Sequence, residues 1–185
     1  MRPGPHHAEL SWITARPIAH RGLHDKSRGL IENTAGAFAA AIAGRYAIEC
    51  DLQITRDGEA VVFHDDVLDR LTDATGKVCE RTAEEMQQLT IRGSSDRVQA
   101  LQELLQQVDG KVPLVIEIKS LWDRSDALAR RTLDVISTYT GPYALMSFDP
   151  DVVAAGGTPR RTNGYNGLWR IGQPLPAESR ITNLG

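Results

Sequence analysis

Short apolar runs and stripes of apolar residues at helical spacing alternate along this chain. The runs end in polar or charged residues, as expected for buried strands of a parallel sheet that is covered by helices. They lie at residues 17–20, 46–51, 113–119 and 144–148. The third run, LVIEIK, has apolar residues on both of its faces. Four parallel strands are therefore predicted.

Three stripes of apolar residues at helical spacing predict helices between these strands. The first helix opens after Asn33 and Thr34 and is expected to stop at Gly44, and the second is closed by Gly110. The apolar faces are Ala35, Phe38, Ala39 and Ile42; Leu101, Leu104, Leu105 and Val108; and Ala129, Leu133 and Ile136. The resulting order, βαβαβαβ, predicts the α/β fold class.

The strand ends are unevenly spaced. The predicted strands end at His20, Asp51, Lys119 and Ser147. These ends are 31, 68 and 28 residues apart, whereas a βαβ unit takes about 30 residues. We therefore expect a small insertion after the second strand, at about residues 52–98. It begins with a predicted hairpin that turns at Arg56, Asp57 and Gly58.

The C-terminal stretch has a different composition. Residues 156–167 read GGTPRRTNGYNG and have no apolar periodicity, so residues 156–185 are predicted to be an irregular tail. A complete (β/α)8 barrel needs about 250 residues. With 185 residues, we expect about half of such a barrel, formed by residues 1–155.

Composition and charge narrow the classes of function. A net charge of -3 provides no basic field for nucleic acid, so a phosphate site would need its own local cations. Cys50 and Cys79 are too few for a disulfide framework. The first residues, MRPGPHHAEL, lack the apolar run that is typical of a signal peptide, and no run approaches the roughly 18 apolar residues of a membrane span. We expect a cytoplasmic protein without a membrane anchor.

Charged side chains gather at the predicted strand ends. Glu49 and Asp51 share one face of the second strand, and Glu117 and Lys119 share one face of the third. Three carboxylates at one barrel mouth would repel each other unless a cation neutralised them, and Mg²⁺ or Ca²⁺ suits oxygen ligands. The alternative is that the carboxylates lie in solvent, or pair with Arg21 and Lys119.

Two histidines are candidates for proton transfer. His20 ends the first strand, and His64 follows the apolar run AVVF. An imidazole titrates near neutral pH, which suits a general acid or base. The alternative for each is a solvated or structural histidine. The other three histidines, His6, His7 and His24, are assigned no role.

Five motifs follow one another along the chain. They are IAHRG at 18–22, ENT at 32–34, IECDLQITRDGEAVVFHDD at 48–66, LDRLT at 68–72 and VIEIK at 115–119. In this order they resemble the glycerophosphodiester phosphodiesterase family, over about residues 17–149. The resemblance implies the N-terminal part of a (β/α)8 TIM barrel of the phospholipase-C-like phosphodiesterase type. That family also carries a small insertion after its second barrel strand.

The resemblance implies metal-dependent hydrolysis of small-molecule glycerophosphodiesters to glycerol 3-phosphate and an alcohol. It places the divalent metal, Mg²⁺ or Ca²⁺, on Glu49, Asp51 and Glu117. It makes His20 and His64 the acid and base pair, and Arg21 and Lys119 the phosphate-binding cations. Glu32 is then a partner of Arg21, or else an ordinary carboxylate at a helix start.

The later barrel strands are not recognised after about Asp151, which indicates a truncated chain. One alternative function is therefore a barrel fragment that binds metal or a partner with little activity. Another is a barrel phospholipase that acts on a lipid head group, which the lack of a basic or apolar surface segment disfavours. An unclosed barrel exposes a sheet edge, so self-association is expected.

Overall fold

The computed structural model describes residues 12–13, 15–155 and 168–172. The helices are α1 (Ala35–Ala43), α2 (Ala83–Gln87), α3 (Leu101–Val108), α4 (Ala127–Ile136) and α5 (Pro150–Ala155), with 3-10 helices at Lys26–Arg28 and Val78–Glu80. The strands are β1 (Ile18–Ala19), β2 (Ala47–Ile54), β3 (Ala60–Val62), β4 (Leu114–Ile118), β5 (Tyr143–Met146) and β6 (Leu168–Gly172).

One sheet with the strand order β1-β2-β4-β5-β6 organises these elements. The first four strands of this order pair in parallel. Parallel neighbours require crossover connections, which α1, α3 and α4 provide. The predicted α/β fold is therefore confirmed, and the carboxyl ends of the four parallel strands lie at one edge of the sheet.

The main core lies between this sheet and its helices. The predicted stripe of α3 is confirmed, because Leu101, Leu104, Leu105 and Val108 are all buried. The predicted face of α1 is partly wrong, because Ala37, Phe38 and Ala41 are buried while Ala39 is exposed. Alanine fills six of the nine positions of α1, so its apolar pattern does not distinguish one face from another. The side chain of Thr34 caps this helix by accepting a hydrogen bond from the Ala37 N–H.

The predicted hairpin after β2 is confirmed. β3 pairs with the end of β2 in antiparallel register, with Leu52 opposite Val62 and Ile54 opposite Ala60. Strand β2 runs two residues beyond the predicted start of the insertion, because Gln53 and Ile54 pair with β3. The residues that follow form a core of their own with Ile31 from the loop before α1; its members are Ile31, Val61, Phe63, Leu68, Leu71, Val78, Met86, Ile91 and Val98. We call this the insertion core.

The C-terminal stretch differs from the prediction in one segment. Leu168–Gly172 forms β6, which pairs with β5 in antiparallel register. An antiparallel edge strand needs only free backbone groups beside it, so a short segment can pair without a helical crossover or a periodic pattern. The rest of the predicted tail, residues 156–167 and 173–185, lies outside the described residues. Within the described residues, no helix has the length and apolarity to cross a bilayer.

Candidate active site

Three buried carboxylates lie together at the carboxyl ends of β2 and β4. The strand register places Asp51 opposite Glu117, and Glu49 lies two residues earlier on the same face of β2. One oxygen of each carboxylate lies within 4.8 Å of the others. Glu49, Asp51 and Glu117 are 8%, 1% and 7% exposed. The side chains between them belong to the core cluster on the helix side, as strand alternation predicted.

Burial makes this group of charges unfavourable without a counterion. Burial, and then the charge of Asp51, raises the pKa of Glu49 to about 7. Burial also raises the pKa of Glu117, although contact with Lys119 partly offsets the effect. The buried Oδ1 atom of Asp51 has no well-aligned hydrogen bond, although Lys119 Nζ lies 2.9 Å away. Three oxygen donors with excess negative charge fit a hard divalent cation.

Two cations border the carboxylates. Lys119 Nζ lies 2.7 Å from Glu117 Oε1, and Arg21 Nε lies 3.4 Å from Asp51 Oδ2. Burial lowers the pKa of Lys119, but its contacts with Glu117 and Asp51 outweigh this, so the pKa is raised. The pairing of the carboxylates with Arg21 and Lys119, which was the alternative to a metal site, is therefore present. Even so, three carboxylates lie beside two cations.

The backbone at the end of β1 is arranged around Glu49. Arg21 adopts a positive φ of 58°, which is uncommon for a residue with a side chain. In this conformation the Arg21 N–H donates to Glu49 Oε2 at 2.9 Å. Gly22 follows with φ 81°, and a Cβ there would lie 2.9 Å from the Ala37 Cβ. Glycine is thus required next to Arg21 for α1 to pack closely.

The two candidate histidines lie in different surroundings. His20 is exposed over 69% of its side chain, and its Nε2 atom lies 3.8 Å from Glu49 Oε2. Partial burial, and then the charge of Arg21, lowers the pKa of His20, and His64 also contributes to this effect. His64 follows β3, and its Nδ1 atom lies 2.6 Å from Asp65 Oδ1. His6 and His7 lie outside the described residues.

The structure brings six of the seven predicted site residues into direct contact. These are His20, Arg21, Glu49, Asp51, Glu117 and Lys119. His64 is joined to Arg21 through a chain of contacts that runs by way of Asp65, Arg70 and Glu32. The expected partnership of Glu32 with Arg21 is present, with Arg21 Nη1 lying 2.8 Å from Glu32 Oε1.

Three further residues of this site were not predicted. Asn33 is buried, donates from Nδ2 to Asp51 Oδ2 at 2.9 Å and accepts from the Asp51 N–H. Arg70 and Asp65 bind each other beside His64. All three belong to the quoted motifs ENT, HDD and LDRLT. The residues were therefore present in the motifs, but the contacts of Asn33 with Asp51 and of Arg70 with Glu32 join residues that are 18 and 38 positions apart.

Comparisons with known proteins agree with this geometry. The model of the "Glycerophosphoryl diester phosphodiesterase family" matches residues 20–158. A glycerophosphodiester phosphodiesterase of Caldanaerobacter subterraneus subsp. tengcongensis is 40% identical over 111 residues, which cover 56% of this chain and 44% of that protein. Glycerophosphodiester phosphodiesterase 1 of Bos taurus is 30% identical over 148 residues, which cover 74% of this chain and 43% of that protein.

A solved structure supports the same assignment. A phosphodiesterase of Oleispira antarctica in complex with the product sn-glycerol-3-phosphate has a TM-score of 0.68 and 25% identity, over 77% of this chain and 62% of that chain. The predicted barrel type of fold is confirmed by this similarity and by the four parallel strands. The chain spans less than half the length of the two relatives above. Because the family model matches most of its residues, the chain belongs to the glycerophosphoryl diester phosphodiesterase family.

Proposed function

We propose that this protein hydrolyses glycerophosphodiesters to glycerol 3-phosphate and an alcohol. The observation that carries the proposal is the group of three buried carboxylates within 4.8 Å of one another, bordered by two cations and a histidine. Family membership supports the reaction class. The glycerol phosphate bound to the Oleispira antarctica phosphodiesterase supports the glycerol end of the substrate.

Glu49, Asp51 and Glu117 would hold the divalent cation. Their oxygens are the ligands that Mg²⁺ and Ca²⁺ prefer, and both ions fit the charge of the group. When bound, such an ion polarises the phosphate and the neighbouring glycerol hydroxyl. Asn33 donates a hydrogen bond to Asp51, which would hold the orientation of that ligand. Oriented outer partners of this kind commonly tune metal affinity.

Arg21 and Lys119 would bind the non-bridging oxygens of the phosphate. Each side chain already contacts Asp51 and is at least four-fifths buried. Their positive charges are therefore held beside the carboxylates that would hold the cation. In partly buried surroundings such charges stabilise the additional negative charge of the transition state more than they would in water.

His20 and His64 would transfer the two protons of the reaction. One imidazole accepts a proton from the attacking oxygen, and the other donates a proton to the departing alcohol oxygen. His20 is open to a substrate from solvent, because most of its side chain is exposed. These roles are compatible with attack by water and with attack by the glycerol hydroxyl, which would give a cyclic phosphate first.

Release of glycerol 3-phosphate from glycerophosphocholine tests the proposal. The full chain is assayed with Mg²⁺, with Ca²⁺ and with EDTA, beside Glu49→Gln and a control, Glu84→Gln, which neutralises an exposed carboxylate. We expect release that requires the cation, that is lost in Glu49→Gln and that is retained in the control. Equal release in EDTA would contradict the metal role.

A second candidate function is cation binding without turnover. It is favoured by the carboxylate group itself, which offers three neighbouring buried ligands to a cation whether or not protons are transferred. Calorimetry of Mg²⁺ or Ca²⁺ binding distinguishes the two functions. Cation binding that depends on Glu49, with no release of glycerol 3-phosphate, would favour this second function.

A further inference from the structure

Arg70 holds two carboxylates with one guanidinium group. Its Nε and Nη2 atoms donate to Asp65 Oδ2 and Oδ1 at 2.6 and 2.8 Å. Its Nη1 and Nη2 atoms donate to Glu32 Oε2 and Oε1 at 2.9 and 2.7 Å. Both carboxylates are thus bound in the paired geometry that a planar guanidinium allows. A lysine in this position could not form the same four bonds.

Each of these carboxylates also holds a residue of the proposed active site. Asp65 Oδ1 lies 2.6 Å from His64 Nδ1, and Glu32 Oε1 accepts from Arg21 Nη1 at 2.8 Å. Arg70 therefore lies between one imidazole and one phosphate-binding guanidinium, although it contacts neither of them in this network. Because Asp65 Oδ1 is shared by Arg70 and His64, rotation of this carboxylate would disturb both bonds.

We infer that Arg70 is a positioning residue, which orients His64 through Asp65 and Arg21 through Glu32. The inference rests on the proposed function, because it assigns Arg70 a part in that reaction. An ionised carboxylate is only an acceptor, so Asp65 selects the tautomer of His64 that carries its proton on Nδ1. The Nε2 atom of neutral His64 is then the one that can accept a proton.

The surroundings of Arg70 support this role over that of a mobile surface charge. Its peptide carbonyl accepts a hydrogen bond from Arg92 Nη1 at 3.2 Å. The next residue, Leu71, belongs to the insertion core and is 7% exposed. The backbone that carries Arg70 is thus anchored, so the guanidinium can transmit a fixed geometry to both carboxylates.

Nitrogen NMR of the imidazoles tests the inference without relying on catalysis. The full chain is labelled with ¹⁵N, and His64 is assigned by comparison with His64→Gln. We expect mainly the Nδ1–H tautomer in the unsubstituted protein, less of it in Arg70→Met, and least in Asp65→Asn. The fraction of the Nδ1–H tautomer in Arg70→Lys should lie between the fractions in the unsubstituted protein and in Arg70→Met. Arg70→Lys serves as the test if Arg70→Met does not fold. An unchanged His64 signal in both Arg70 variants would overturn the inference.

Kinetics provide the second measurement. Arg70→Met should lower kcat for glycerophosphocholine by about 10-fold to 100-fold, as loss of a supporting partner commonly does. Arg56→Met is the control, because Arg56 is another exposed arginine of the same insertion and pairs with Glu85, which, among the described residues, contacts no residue of the proposed site. It should leave kcat and the His64 signal unchanged. If the unsubstituted chain releases no glycerol 3-phosphate, the proposed function fails while the NMR result still decides the role of Arg70.

Discussion

Replacing Glu49 with glutamine should alter stability in opposite directions in the absence and presence of a divalent cation. Glu49 is 8% exposed, and burial followed by the charge of Asp51 raises its pKa from 4.5 to about 7. A carboxyl group with a raised folded-state pKa destabilises the fold once it ionises. This penalty is absent below pH 4.5, grows as pH rises, and is complete above about pH 7.

The penalty can be converted into free energy. A pKa raised from 4.5 to about 7 lowers the free energy of unfolding by about 3 kcal/mol at pH 8 without metal. Glutamine keeps the shape and remains neutral, so it removes this penalty. For a chain of this size, 1 kcal/mol moves Tm by about 2–4 °C. We therefore expect Glu49→Gln in EDTA at pH 8 to unfold roughly 6–12 °C higher than the unsubstituted protein.

A bound cation should reverse this order. A cation at about 1,000 times its Kd stabilises the unsubstituted protein by about 4.1 kcal/mol, which exceeds the penalty of about 3 kcal/mol that ionised Glu49 imposes without metal. Glu49→Gln lacks one charged ligand and should gain much less. Differential scanning calorimetry at pH 8, in EDTA and in excess Mg²⁺ or Ca²⁺, measures both effects. Glu84→Gln is the control and should change Tm little in either condition. A Glu49→Gln variant that is less stable in EDTA, or that gains as much as the unsubstituted protein from the cation, would refute this reasoning.

Four further predictions address other parts of the molecule. His20→Ala and His64→Ala should each lower kcat by about 10² or more with little change in cation affinity, and full activity in either variant would remove that histidine from the mechanism. Arg70 holds the pKa values of Glu32 and Asp65 at about 2. The stability that these two ion pairs contribute above about pH 4.5 should therefore be lost as the pH falls towards 2. Arg70→Met should lose less free energy of unfolding over that pH range, as measured in an acid titration followed by circular dichroism. Leu104→Ala should cost about 2–5 kcal/mol in urea unfolding, because Leu104 is fully buried between α3 and the sheet. Self-association through the outer edge of β1 should increase the mass measured by light scattering, and a strictly monomeric chain would contradict it.

The sequence predicted the parallel strands and their faces well, because a strand alternates its side chains with a period that local residues reveal. Glu49 and Asp51 alternate with buried apolar residues in β2, so their shared face could be read directly. The buried face of α1 could not be predicted in this way, because alanine at most of its positions does not show which side of the helix is buried. β6 was missed because edge pairing depends on a neighbour that is distant in the sequence.

The polar contacts of the site were less predictable than its residue types. Glu32 and Arg70 are separated by 38 residues, and their contact exists only because the insertion packs against the loop after β1. No local pattern contains that information. Asn33 likewise looked like the start of a helix, and its hydrogen bonds to Asp51 depend on the approach of α1 to β2.

The two separate cores divide the proposed chemistry between two packing units. Glu49, Asp51 and Glu117 lie on strands of the main sheet, while His64 and Arg70 are carried by the segment that surrounds the insertion core. Parts of a protein with separate cores can open independently, on paths that require less free energy than global unfolding. A mutation that loosens only the insertion core would therefore abolish proton transfer by His64 while the protein still captured its cation. Loss of turnover without loss of metal binding would then be the signature of mutations in the insertion core.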